Sequence, residues 1–458
     1  MTNISIFGTS SDAGKSTITF VIAKLLQDAG ISTVAFKAQN VSNNSQVADD
    51  GSEIAISTHF QNSVIGVKTS YHVNPILLKS GSKNSASLIV EGKEVGEKDV
   101  KSYYKQIDTL KPIVKNTFSY LDKKHDCVVA EGAGGCVELN LLEKDLSNTF
   151  IADTFNTKII LVADIEKGGV FASIYGTIEL LHPKLRENLI GVIINKFRGD
   201  RTLFDDGIKI IEEKFGVPVL GVLPYLPLNI GFEDSASLQN YTQNLDASIK
   251  IGIIKLPHIS NFNDFEPLII DDELQVDFIT SNLSEYNYII IPGSKRVVSD
   301  LEWMKENGIF KALQNYKKKI IGICGGYEMM FETLIDETGV ESDTKTSEGL
   351  GFIKETVTFK DKKIVKKLSF ELHDMQLKGY EIHYGMSKKY PIYFEDKNIF
   401  GTFVHGIFDN DEFRNYIFKD GYNGYCFEER KEEILGNFIG EMGKNLNMDR
   451  VLNCIRNQ

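Results

Sequence analysis

Basic residues are in deficit. Lys and Arg number 51 against 63 Asp and Glu, leaving a formal charge of −12. Such a chain has no bulk attraction to nucleic acid or to an anionic membrane, so neither is expected as a partner. Long apolar runs are missing as well, and none approaches the roughly 18–20 residues needed to span a bilayer. The opening residues, MTNISIFGTSSDAGKS, lack the basic start and apolar core of a secretion signal. Cysteine is scarce and unpatterned, with five in 458 residues. That fits a reducing compartment and excludes a disulfide scaffold. No internal repeat, heptad tract or low-complexity stretch is present. Apolar side chains make up 42% of the chain, enough for large cores and too many for a disordered main state. The expectation is a cytoplasmic protein of two or three domains.

Short Val- and Ile-rich runs recur at 4–7, 32–36, 127–130, 159–163, 191–194 and 217–223. They do not alternate polar with apolar, which marks strands buried on both faces of a parallel sheet. Between the first two, residues 16–29 set Ile18, Val21, Ile22, Leu25 and Leu26 on one helical stripe, with Gly30 as a stop. This is a βαβ unit. A second series of β-like runs, at 251–256, 288–292, 320–323 and 400–404, follows a polar stretch. The fold class expected is therefore α/β with two domains: 1–232, a linker at 233–248, and 249–458 ending in a helical tail.

The first strand runs into Gly8, Thr9, two serines, Asp12, Ala13, Gly14, Lys15, Ser16 and Thr17, and then the helix. Glycines let backbone N–H groups and the helix start point at phosphate oxygens, with Lys15 on the outer phosphates and the Ser16 hydroxyl on magnesium. Five residues separate the two glycines where the usual phosphate loop has four. Glu131 ends a buried strand ahead of Gly-Ala-Gly-Gly, a good place for a carboxylate to reach a metal on the phosphates. A phosphate-bearing ligand with Mg2+ is expected at this loop.

In the second half, a strand at 320–323 meets Cys324-Gly325-Gly326 and a helix-compatible segment at 327–334. A strained strand-to-helix turn exposes a nucleophile, and the helix start favours its thiolate. His405, at the end of a later strand, is the candidate base. Gly293, in a Pro-Gly-Ser turn, and Gly325 are the candidate oxyanion donors.

The widened phosphate loop and the Glu131 turn resemble dethiobiotin synthetase and its relatives, which activate carboxylates with ATP. The Cys324 elbow with His405 resembles class I glutamine amidotransferases, with one departure. Those usually carry Glu two residues after the histidine, and here that position is Ile407. A set of segments in order then resembles the cobyric acid synthase family over nearly the full chain. They include GTSSDAGKST at 8–17, FKAQNVSNNS at 36–45, VAEGAGGCVELNL at 129–141, VADIEKGGVFAS at 162–173, IIPGSKRVVSDLEW at 290–303, GICGGYEMM at 322–330 and VHGIFDN at 404–410. The resemblance implies amidation of corrinoid carboxylates with glutamine and ATP, on small molecules only. It also implies that Asn195 holds the adenine, that Glu53 is a second magnesium contact at the start of a helix, and that Gln39, Asn40 and Asp164 face substrate or metal. The competing readings are cobyrinic acid a,c-diamide synthase and a P-loop ATPase fused to a glutaminase-like binding module.

Overall fold

A computed structural model describes residues 1–80, 85–231, 244–419 and 421–456; most of the expected linker at 233–248 lies outside them. The first unit is built on a six-stranded, all-parallel sheet. Its strands run, in spatial order, Val219–Pro224, Leu189–Phe197, Lys158–Asp164, Ile4–Gly8, Cys127–Glu131 and Thr33–Phe36. Ile4–Gly8, Cys127–Glu131 and Thr33–Phe36 are buried throughout, as their uninterrupted apolar runs require. The helix Lys15–Asp28 follows the first strand and buries Ile18, Val21, Ile22 and Leu26. Between Thr33–Phe36 and Cys127–Glu131 the chain inserts a second sheet, Gln39–Val41, Ile76–Ser80, Ser85–Val90 and Lys93–Asp99.

The second unit centres on another six-stranded sheet: Leu274–Ile279, Ile249–Ile254, Tyr288–Ile291, Lys319–Ile323, Ile399–Thr402 and Tyr393–Asp396. All neighbours are parallel except the last pair. A long antiparallel pair, Ile353–Leu372 with Met375–Met386, leaves this core and reaches the first unit.

Three expectations change. The helix expected at 327–334 is only Gly325–Met329, because Phe331–Ile335 pairs with the strand that begins at Ile353. Ladder pairing and burial of Phe331 and Leu334 outweigh local helix preference. Glu53 opens a short strand, Glu53–Ala55, and the helix Ile56–Val64 starts after it. The C-terminal helices Phe427–Lys444 and Met448–Arg456 do not complete the second unit. Phe427, Phe438, Ile439, Met442, Val451 and Ile455 pack with Ile4, Phe20 and Leu220 in the core of the first. Thr2 N–H donates to the Ile455 carbonyl at 3.0 Å, and Asn447 N–H, between the two helices, donates to the carbonyl of the strand residue Leu220 at 2.7 Å.

Candidate active sites

The C-terminal edge of the first sheet carries a cavity of about 920 Å³. Asp12, Gly14, Lys15, Ser16 and Thr17 line it, together with Asn40, Glu131 and Asn195. The loop holds itself ready. Lys15 Nζ donates to the carbonyls of Gly134 at 2.7 Å and Ser10 at 3.1 Å. Gly14 has φ 95°, and a Cβ there would lie 2.1 Å from Asn195 Nδ2, so only glycine fits both the turn and the neighbour. Asn195 Nδ2 donates to the Ala13 carbonyl at 3.0 Å, which places it against the loop. Gly8 and Thr9 lie behind the loop: Thr9 N–H donates to the Val162 carbonyl at 3.0 Å.

Glu131 is 1% exposed and accepts from Ser16 Oγ at 2.8 Å, so the two expected metal ligands already touch. Lys37 Nζ lies 2.7 Å from the same oxygen, and Gln61 Nε2 donates to the other. Neither partner has a motif signal of its own, although Lys37 lies inside the FKAQNVSNNS segment. Among the described residues no group of three or more His, Cys, Asp or Glu side chains is placed to hold a metal. A hydroxyl and one carboxylate suit magnesium all the same, because that ion takes hard oxygens and fills its shell with waters and substrate phosphates.

Three other expected residues stand elsewhere. Glu53 does not line the cavity. Its carboxylate meets Lys79 at 3.0 Å and Lys363, from the second unit, at 2.8 Å. Burial would raise its pKa, but the two ammonium groups, with the Ser45 hydroxyl, hold it well below the usual carboxylate range. Asp164 is turned to Lys196 at 3.0 Å and to the Glu166 N–H at 2.8 Å, and Lys196 in turn donates to the Asp12 carbonyl. Gln39 accepts from the Tyr103 hydroxyl at 2.6 Å, while the adjacent Asn40 faces the cavity.

The second site gathers Cys324, His405, Ser260, Asn261, Ser294 and Lys295 around a small cavity. Cys324 has φ 49° and ψ −108°, a strained turn that lifts the thiol off the strand Lys319–Ile323. A Cβ on Gly326 would lie 2.0 Å from the Ile291 carbonyl oxygen, so that glycine is imposed by close approach. A Cβ on Gly325 would lie 2.7 Å from the Ser294 backbone nitrogen, and the Cβ position of Gly293 falls 3.3 Å from His405 Cε1. The two expected oxyanion donors therefore flank the Cys–His pair. Ser294 Oγ donates to Asp300 at 2.6 Å and fixes the Pro-Gly-Ser turn.

His405 Nδ1 donates to Asp264 Oδ2 at 2.7 Å, and the other oxygen of Asp264 accepts the Gly406 N–H at 2.8 Å. Burial would lower the His405 pKa. The Asp264 carboxylate and the Cys324 sulfur outweigh it and raise it to about 10. Asp264 thus fills the place left open by Ile407. The thiols of Cys127 and Cys136 are pushed up to about 12 by burial, which disfavours their thiolates.

The two sites share a wall. Ile259 and Phe262 line the large cavity, while Ser260 and Asn261 between them line the small one. Asn261 N–H donates to Asn44 Oδ1 at 2.7 Å, joining that wall to the first unit. Among the described residues no helix is long and apolar enough to cross a membrane.

Comparison with known proteins agrees with both halves. Residues 4–230 match the CobQ/CobB/MinD/ParA nucleotide binding domain, and residues 250–413 the CobB/CobQ-like glutamine amidotransferase domain. Full-length relatives include cobyric acid synthase of Acinetobacter baylyi, 55% identical with 100% of both chains covered. The Clostridium acetobutylicum protein of that name is 36% identical, with 100% of this chain and 96% of the relative covered. That of Listeria innocua is 40% identical over 91% and 87%. With a nucleotide-binding cavity and a Cys–His–Asp site back to back in one chain, and relatives aligned end to end, the chain belongs to the cobyric acid synthase family.

Proposed function

We propose that this enzyme amidates the b, d, e and g carboxylates of adenosylcobyrinic acid a,c-diamide, giving cobyric acid, with glutamine as nitrogen source and ATP consumed at each step. The observation that carries the reading is the shared wall: a glutaminase-type cavity and a phosphate-loop cavity lie on opposite faces of the segment from Ile259 to Phe262.

A carboxylate is a poor electrophile until its oxygen becomes a leaving group. In the large cavity Lys15 and the loop N–H groups orient the triphosphate, and the carboxylate oxygen takes the γ-phosphoryl group with release of ADP. Lys15 leaves its resting carbonyl partners to meet the developing phosphate charge. Ser16 and Glu131 would hold magnesium, which when bound neutralises phosphate charge. In the small cavity the Cys324 thiolate attacks the glutamine amide carbon. The N–H groups of Gly293 and Gly325 stabilise the oxyanion, and His405, oriented by Asp264, gives its proton to the leaving ammonia. Water then cleaves the thioester to glutamate. Ammonia crosses to the large cavity and displaces phosphate from the acyl phosphate.

The test is mass analysis of the corrinoid after incubation with a,c-diamide, ATP, magnesium and glutamine. Each amidation replaces a hydroxyl by an amino group, so successive products resolve as a mass ladder. Cys324→Ala should stop the ladder with glutamine and restore it with ammonium at alkaline pH, since the large cavity needs no thiol. Failure of ammonium to rescue, where the parent uses it well, would overturn this division of labour.

A further inference from the structure

The cavity beside Cys324 is more cationic than glutaminase chemistry requires. Lys79, Lys295 and Lys363 all line it, and Lys79 comes from the strand Ile76–Ser80 of the first unit. Lys79 and Lys363 are answered together by Glu53, at 3.0 Å and 2.8 Å. One carboxylate therefore serves two ammonium groups. Lys295 has no carboxylate within ion-pair distance among the described residues. Its Nζ lies 6.0 Å from the centre of the Tyr384 ring, and that of Lys363 lies 5.7 Å from the same ring, while Glu341 acts on it from beyond ion-pair distance. Tyr384 is itself anchored through its hydroxyl to Glu94.

Glu94 is the charged acid that faces Lys295 and Lys363 from beyond ion-pair distance, its carboxyl held, against burial, below the usual range in part by these two ammonium groups. Glu328 accepts the Gly385 N–H at 3.0 Å, and burial together with the Cys324 sulfur raises its pKa well above the usual range, which disfavours its charged form. Glu341 accepts the Val297 N–H at 3.1 Å and is raised by burial to about 7, so it is only partly charged. Burial and the neighbouring Lys363 disfavour the charged form of Lys295. A buried ammonium with no carboxylate in direct contact is stabilised by an incoming anion.

We infer that Lys295, in a cationic lining shared with Lys79 and Lys363, binds the α-carboxylate of glutamine and so selects the substrate whose amide reaches Cys324. This rests on the reading of Cys324 as the glutaminase nucleophile. Glutamine brings one carboxylate and one ammonium group, and Glu341 in the same lining is available to the ammonium. The pocket is also composite, because Lys79 and the Glu53 that orders Lys363 both belong to the synthetase unit. Glutamine recognition is thereby built across the seam between the two units.

The experiment compares glutamine with 4-aminobutanamide, the same amide without its α-carboxylate, in parent, Lys295→Met and Lys295→Arg proteins. A charge-assisted contact of this kind predicts a rise in the glutamine KM on the order of 10- to 100-fold for Lys295→Met, with kcat much less affected. Hydrolysis of 4-aminobutanamide should be unchanged, so the preference for glutamine collapses. Lys295→Arg should recover part of it. Ammonium-dependent amidation should stay at the parental rate in both variants, which confirms a folded chain. An unaltered glutamine preference in Lys295→Met overturns the inference, and so does equal impairment of Lys295→Met and Lys295→Arg. Glutaminase activity surviving in Cys324→Ala would instead sink the underlying assignment of the site, whatever Lys295 does.

Discussion

Asp264 lies 141 positions before His405, and its neighbours Asn261, Asn263 and Phe265 form no motif that marks it. Its role is set by contact alone: it is fully buried and both its oxygens accept from the His405–Gly406 segment. Asp264→Asn keeps the shape and removes the charge, so glutamine hydrolysis should fall by a factor on the order of 10² to 10⁴. Amidation from ammonium should be unaffected. The same substitution has a pH signature. With the His405 pKa raised from 6.5 to about 10, its stabilising contribution is fully present below about pH 6.5 and is lost as the pH rises through about 10. Urea denaturation at a series of pH values should show a shallower alkaline loss for Asp264→Asn than for the parent. An identical slope would mean that Asp264 does not hold the imidazolium.

Among the elements, the last long helix, Phe427–Lys444, does the least expected thing. It leaves the unit it follows in the chain and packs on the helix Lys15–Asp28, with Phe438 against Phe20 at 6.0 Å between ring centres. Phe438 and Met442 also line the large cavity. Phe438→Ala should cost about 3–5 kcal/mol, because a buried ring is lost at a place where the phosphate-loop helix needs a backing. The drop should register as a lower denaturation midpoint and as weaker nucleotide binding by calorimetry, with glutamine hydrolysis little changed. The short helix Gly325–Met329 is a second case. Five residues give little dipole, so the helix start can do little to favour a thiolate at Cys324.

At the scale of the whole molecule, the two units are joined by charge as well as by the shared wall. Glu53, 1% exposed, holds Lys363 across the seam, and Asp49 pairs with Lys367 at 2.7 Å. Glu53→Gln would leave Lys79 and Lys363 facing each other without their carboxylate, at a cost of roughly 3–5 kcal/mol. Because the Glu53 pKa is depressed, its contribution is present above about pH 4.5 and is lost as the pH falls through the lowered value. The parent should therefore be acid-sensitive at the seam, and Glu53→Gln should already be weakened at neutral pH. Equal thermal midpoints for the two proteins at neutral pH would refute this.

The chain's own order of residues determined the two sheets, the phosphate loop, the Cys324 elbow and His405. In each, the signal is local: an unbroken apolar run, a glycine spacing, a nucleophile set between glycines. Residues whose function lies in long-range contact were not legible in that way. Asp264, Lys37, Gln61 and Lys79 are ordinary polar residues until folding brings them to His405, Glu131 and Cys324. Glu53 reads in sequence as a metal ligand, yet the hairpin that delivers Lys363 makes it a tie between units. Where a buried charge goes depends on which opposite charge the packed chain places within a few ångströms of it, and only the tertiary structure decides that.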